Sequence, residues 1–427
     1  MMIPFPPFEP DKSPFNALAT EVATNCLPAA DGWHPMAAFI DQSEALPSKC
    51  LGAIYVRDSA GNNTIVAGTA TNLYKLNTAT NPYSWTEISK STDAYNVPSG
   101  DEWSFEKFGD YLVACNIGDL PQYYDVEAGG LFADISAAQK AKYVWTTGDF
   151  LMLGYLEGKP KSIVWSGLND ILFWTAGERD SDEQLLPVGG EIMGGLGDAR
   201  GAVVITRFAM DYMQFAPASG YTFTRSQANT KRGTIAPKSI VQIGQDQFMY
   251  LSEDGFFANV EGKPVGAERV DNFFFETVDP DYLDNVKGMA DPFNKMVWFG
   301  YRTTEGVDRL LGYDWQLDRW CYSDQQIYSA AALSTPDVSW DGLDNLYATI
   351  DDVSVPFNSQ LWRGGNPVFA GFTSADKLAF SSGDPVQATI ATAWIEPNKG
   401  GRAFLNEGRV EGNCTGFTVQ SSGVDFH

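Results

Sequence analysis

The stretch "GTIAPKSIVQIGQDQFMYLSEDGFFA", Gly233 to Ala258, decides the fold. It holds a strand-like run from Ser239 to Ile243, a Gly/Gln/Asp turn, and a second run from Gln247 to Leu251. The turn Glu253-Asp254-Gly255 then leads into a third run at Phe256. Three runs of strand length joined by tight polar turns predict a β-meander.

The same grammar recurs along the chain without the same letters. "GAIYVRD" leads to "IVAGTATNLYKLN" and "YSWTEIS"; "WSFEKFGDYLVACN" leads to "LPQYYDVE". "KYVWTTGDFLMLGYL" leads to "SIVWSG", and "ARGAVVITRFAMDYMQFA" to "GYTFTRSQ". Further on come "NVKGMADPFNKMVWFGYR", "RLLGYDWQLDRWCYSD", "DNLYATID" and "SQLWRGG". Units about 45–55 residues apart signal a propeller or an array. Gly and Asn supply the positive φ that hairpin turns need.

A lone four-stranded sheet cannot bury both its faces. Several sheets ringed about an axis bury the faces between neighbours and leave only short edges. The expected fold is therefore an all-β β-propeller, with six blades preferred and seven as the second count. A β-sandwich followed by a separate barrel is the competing architecture. Helical periodicity is scarce; "DISAAQKAKYVW" (134–145) is the best helix candidate.

The chain divides into three parts on this reading. Residues 1–48 carry "IPFPPFEPDKSPFN" and "DGWHPMAAF", where proline forbids a helix or a central strand. Phe5, Phe8, Phe15, Trp33 and Phe39 make the segment too apolar for a solvated tail. It reads as an extended arm docking on the body or on a neighbouring subunit. Residues 49–383 form the propeller body. Residues 384–427 form a small β appendage that pairs with the body or with a partner chain.

Composition narrows the function. The chain has 29 Lys+Arg against 54 Asp+Glu, a net charge of −25. That excludes a nucleic-acid clamp, which needs a basic surface, but suits a wall past which a polyanion slides. It also suits plain solubility. The segments lack the apolar length of a bilayer span, and "MMIPFPPFEP" lacks the basic and apolar regions of a signal peptide. Five cysteines, Cys26, Cys50, Cys115, Cys321 and Cys414, are far apart with no C-x-x-C, so they read as free thiols in a reducing cytoplasm.

Chemistry is sparse. His34 and His427 are the two histidines, and neither sits where a scaffold would hold a triad base. Carboxylates cluster in "GERDSDEQ" (177–184) and "DVSWDGLDNLYATIDD" (337–352), but without calcium-loop spacing they read as solvated turns. The glycines of "MGGLGDARG" lack the Lys-Ser/Thr of a phosphate loop. One basic stretch, "TRSQANTKRG" with Arg225, Lys231 and Arg232, stands out as a contact for an acidic neighbour or as a solvated loop. No catalytic residue, cofactor site or metal site is assigned.

From Gly233 onward the text resembles the tail hub, or nozzle, proteins of short-tailed bacteriophages, also called packaged-DNA stabilisation proteins. A small residue, Ala-Pro-x-Ser-Ile, an apolar strand, an aromatic strand and "DGFF" carry the likeness. "IVWSGLND" (163–170), "RFAMDYMQFAPASG" (207–220), "RLLGYDWQLDRWCYSD" (309–324) and "SQLWRGG" (359–365) agree in type and order, over roughly residues 50–380. The resemblance implies a virion structural protein and no enzyme. It implies a homo-hexamer below the portal and its adaptor protein, lining the DNA ejection channel. Tail fibres or spikes would attach around it, and a needle or plug protein would close its tip. Genomic DNA would pass without specific binding, and assembly would occur in the cytoplasm of the host bacterium. A carbohydrate-binding or carbohydrate-active propeller is the alternative, with Trp85, Trp103, Trp174 or Trp394 stacking on sugars. A propeller scaffold for some other protein partner is the third reading.

Overall fold

The runs of the opening stretch form antiparallel strands Val241–Gly244, Gln247–Ser252 and Gly255–Ala258, completed by Lys263–Pro264 into a four-stranded sheet. In the computed structural model, which describes residues 5–13, 19–59, 61, 63–244, 247–334, 349 and 367–392, this sheet is blade 5 of a ring. Blades 1 to 4 are four-stranded meanders over residues 53–87, 104–134, 141–185 and 192–229. Blade 6 covers residues 287–323. Blade 7 joins Ile327–Ser334, Pro367–Thr373 and Lys377–Pro385 to the early strand Ala37–Ala45. The first strands of neighbouring blades touch, so they are innermost and surround the axis. The fold is a β-propeller of seven blades, the second of the two expected counts. The expected strand segments "DNLYATID" and "SQLWRGG" fall outside the described residues, apart from Thr349.

The second strand of each blade shows why the ring forms. In blade 5, Phe248 and Tyr250 pack toward blade 4, while Met249 and Leu251 pack toward blade 6. In blade 3, Phe150 and Met152 face blade 4, and Leu151 and Leu153 face blade 2. In blade 2, Leu112 and Ala114 face blade 1, and Val113 and Cys115 face blade 3. Alternation puts successive side chains on opposite faces of a sheet, and here both faces are apolar. The core is accordingly divided into seven clusters, one in each gap between blades.

Glycine lets large aromatics fill these gaps. Trp145 of blade 3 lies against Gly154 of its own blade and Gly195 of blade 4. A Cβ at Gly195 would stand 2.4 Å from the Trp145 indole. Gly68 makes the same room for Trp103, and Gly312 for Trp298.

The N-terminal segment belongs to the ring. Strand Ala37–Ala45 pairs antiparallel with Lys377–Pro385 and closes blade 7. The expected body, residues 49–383, therefore leaves out the strand that completes blade 7. Strand Thr20–Thr24 lies parallel to the outer strand of blade 6, with Thr24 opposite Tyr322. Strand Thr389–Thr392 pairs antiparallel with Thr20–Thr24, so this part of the C-terminal segment docks on the body. The expected boundary at 384 falls inside a strand that runs to Pro385.

The helix expectation changes. Residues 134–145 form no helix: a turn leads into strand Ala141–Thr147, drawn in by pairing with Phe150–Leu156. Asp271–Thr277 is instead the α-helix among the described residues. Its own sequence has no side-chain cap. Asp11 supplies one from the arm, accepting from the backbone N–H of Asn272 at 2.9 Å and of Phe273 at 2.8 Å.

Gly195→Val would drive a branched side chain into Trp145, and the expected loss is about 1–3 kcal/mol. Urea unfolding checks this; an unchanged midpoint would contradict the packing of blades 3 and 4.

Candidate functional site

In many closed rings the axis is where ligands gather, and here one of its mouths is bridged. Glu102 precedes the inner strand of blade 2, Lys238 precedes that of blade 5, and Lys287 opens that of blade 6. Blades 2 and 5 stand on opposite sides of the ring, so their side chains meet at the axis. Glu102 lies 2.5 Å from Lys287 Nζ and 3.4 Å from Lys238 Nζ. Lys238 also donates to the Asn285 side chain at 2.8 Å and to the Gly100 carbonyl at 3.2 Å. Beside them Lys142 of blade 3 pairs with Asp101 at 2.7 Å. Burial pushes the Glu102 carboxyl up, but the two lysines outweigh it and hold the group below its ordinary range. Burial also lowers the Lys238 ammonium, against the pull of Glu102.

A second acid lies deeper between the same inner strands. Glu106 of blade 2 accepts a hydrogen bond from Thr146 Oγ1 of blade 3 at 2.7 Å. Burial pushes its carboxyl up to about 7, with the Thr146 hydrogen bonds opposing.

The expected basic stretch does not act as one unit. Arg225 points into blade 4 and pairs with the buried Asp211, Nη2 to Oδ1 at 2.9 Å. Arg232 lies 3.7 Å from the centroid of the Phe257 ring and is paired with Asp254. Lys231 is exposed. Lys231 and Arg232 line a cleft of about 210 Å³ between blades 4 and 5, together with Arg207, Phe208, Gly233, Ser252, Glu253 and Asp254. The cleft stands on the face made by the turns between second and third strands. Sequence reading found Lys231 and Arg232 by their charge. It missed Arg207, which lies in a separate hairpin turn.

The arm residues have different fates. Phe8 is fully buried, edge-on to Phe273 at 5.6 Å and tilted against Tyr322 at 5.4 Å. Glu9 reaches Arg269 at 3.7 Å, and Arg269 holds Asp318 at 2.7 Å. The arm thus docks on the chain's own blade 6 and on the helix beside it. Trp33 packs against the clusters flanking blade 6. Phe5 is exposed, and Phe15 lies outside the described residues.

Three of the four tryptophans considered for sugar stacking are engaged in packing. Trp103 is buried and donates to the Thr69 carbonyl at 2.8 Å. Trp174 is buried and donates to the Ile171 carbonyl at 2.7 Å. Trp85 stacks on Phe372 at 5.9 Å. Trp394 lies outside the described residues. His34 is exposed on the hairpin Gly32–Pro35. Cys26, Cys50, Cys115 and Cys321 are free and buried, and Cys414 lies outside the described residues. No described helix is long and apolar enough to cross a membrane.

No protein family model matches the sequence, and no curated protein matches it. In fold the chain is similar to the computationally designed Ika8 protein, at 8% identity and a TM-score of 0.40, over 79% of this chain and 98% of that one. It is similar to the β-propeller domain of Cps50 (Swd1) from Myceliophteria thermophila, at 8% identity and a TM-score of 0.43, again over 79% and 98%. It is also similar to the extracellular domain of the one-component system BT4673 from B. thetaiotaomicron, at 10% identity and a TM-score of 0.36, over 66% of this chain and 46% of that one.

Glu102→Ala would leave two lysines unpaired at the axis, an expected loss of about 3 kcal/mol in urea unfolding; a loss near zero would mean that water serves the lysines equally well. Glu106 shifts in the opposite sense. Its carboxyl stays protonated in the fold up to about 7, against an ordinary value of 4.5, so stability falls as pH rises through that window. Glu106→Gln is expected to be more stable than wild type at high pH by roughly 2–3 kcal/mol and equal to it in acid. Equal pH profiles for the two proteins would show that Glu106 titrates normally.

Proposed function

We propose that the chain is a structural subunit of a phage tail nozzle. Six copies close into a ring below the portal and adaptor, line the DNA ejection channel and anchor tail fibres or spikes. A needle or plug protein closes the tip, and the particle assembles in the host cytoplasm.

The observation that carries the reading is the bridged axis. A propeller whose opposite blades are tied by Glu102, Lys238 and Lys287 acts as a stiff wall block, not as a tube. The conduit then lies between subunits. The net charge of −25 lets such a wall pass DNA without holding it. The order of the family-like stretches supports the same reading. Residues 163–170, 207–220, 233–258 and 309–324 fall in blades 3, 4, 5 and 6 in turn, and each includes part of its blade's third strand.

Electron microscopy of the assembled particle tests this. The expected image is a six-membered ring of propellers with carboxylates facing the bore. A basic bore, or propellers that form no ring, would overturn the reading.

A further inference from the structure

Three carboxyl groups gather where the N-terminal arm meets the body. Asp271 opens the helix Asp271–Thr277 and is 9% exposed. Two glycines close over it: a Cβ at Gly255 would stand 2.2 Å from its carboxyl, and one at Gly266 2.0 Å. Its Oδ1 accepts from the Phe256 N–H at 3.2 Å. No lysine or arginine among the described residues forms an ion pair with it.

The arm brings the second carboxyl. Asp11 accepts from the N–H groups of Asn272 and Phe273, the two residues that follow Asp271. Blade 5 brings the third, Asp254, which precedes Gly255 in the hairpin turn and pairs with Arg232. The cations of the arm and of the helix approach are engaged elsewhere. Arg269 holds Asp318 at 2.7 Å and reaches Glu9 at 3.7 Å, and Lys12 holds Glu9 at 2.7 Å.

Ionised Asp271 is therefore stripped of water and repelled from two sides. Burial first, then Asp11 and Asp254, push its carboxyl up from 3.8 to about 6, against the Phe256 hydrogen bond. Asp254 is built into a blade. Asp11 belongs to a segment that can leave without breaking the ring, because the strand that closes blade 7 begins only at Ala37.

We propose that the arm is a proton-dependent latch: Asp11 docks on the helix most tightly when Asp271 carries a proton, and ionised Asp271 loosens it. Linkage fixes the sign. The docked arm raises the proton affinity of Asp271, so a proton on Asp271 favours the docked arm by the same factor. This contribution is complete below the value that Asp271 has with the arm away. It is lost as pH rises through about 6. Release of the arm takes Phe8 into water and uncovers Phe273 and Tyr322.

Hydrogen exchange of the full-length chain tests the latch, with each amide's rate divided by its intrinsic rate at that pH. The reporters are the Asp11 N–H, bonded to the Arg269 carbonyl at 3.0 Å, and the N–H groups of Asn272 and Phe273. In wild type their protection is expected to fall about ten-fold from about pH 4.5 to about pH 7.5 and to level off above that. They should also exchange about ten-fold or more faster than the amides of strand Phe150–Leu156, because the arm opens without the ring. Asp271→Asn, neutral at every pH, should keep its acid-side protection throughout. Asp11→Asn keeps an oxygen for the cap but carries no charge, so the fall should shrink to about two-fold or less. If circular dichroism shows Asp271→Asn unfolded, Asp11→Asn decides alone. A flat wild-type profile overturns the proposal, as does an undiminished fall in either folded variant. Arm amides that exchange no faster than those of blade 3 overturn it too.

Discussion

Every blade has two greasy faces and can hide neither alone. That constraint governs the whole structure. In blades 2, 3 and 5 the second strand sends alternate side chains into both flanking gaps, so each sheet depends on a neighbour on either side. Such a stack has no natural end, and an open one would leave two apolar faces in water. Closure removes both. The gap between blades 7 and 1 is filled by Phe372 and Phe380 against Ile65 and Leu76, as apolar as any other gap. The strand Ala37–Ala45 then completes blade 7 from the other end of the chain.

Closure has a consequence at the axis. Inner strands converge there, and polar groups on opposite blades come within reach. Glu102 between Lys238 and Lys287 satisfies charges that burial would otherwise penalise. The Asp101–Lys142 pair extends the bridge to blade 3. These pairs tie blades 2, 3, 5 and 6 to one another at one end of the axis.

The N-terminal arm is bound by three kinds of contact. Phe8 contributes apolar burial, Asp11 caps a helix, and Glu9 joins the Arg269–Asp318 pair. Asp271, in the first turn of that helix, sits under Gly255, where φ is +143° and a Cβ would stand 2.2 Å from the carboxyl. Burial pushes this acid up to about 6. Only glycine leaves room there, which gives the turn Glu253-Asp254-Gly255 a reason beyond reversing the chain.

The strands of blade 5 were legible from residues alone, because alternation of apolar side chains and Gly/Asp turns are local signals. The helix Asp271–Thr277 was not legible, since its cap comes from Asp11, far away in the chain. Nor was the fate of residues 134–140, whose helical composition yields to a turn feeding the strand Ala141–Thr147, itself paired with Phe150–Leu156. The Glu102 bridge left no local trace: its members come together only when blades 2, 5 and 6 close on one axis. Arg207 joins Lys231 and Arg232 for the same reason. By itself the sequence determined that this chain makes β-meanders with two apolar faces, because period and turn chemistry act over a few residues. Tertiary structure decided the seven-fold closure and the bridged axis, because these depend on distances between residues that only the closed ring brings together.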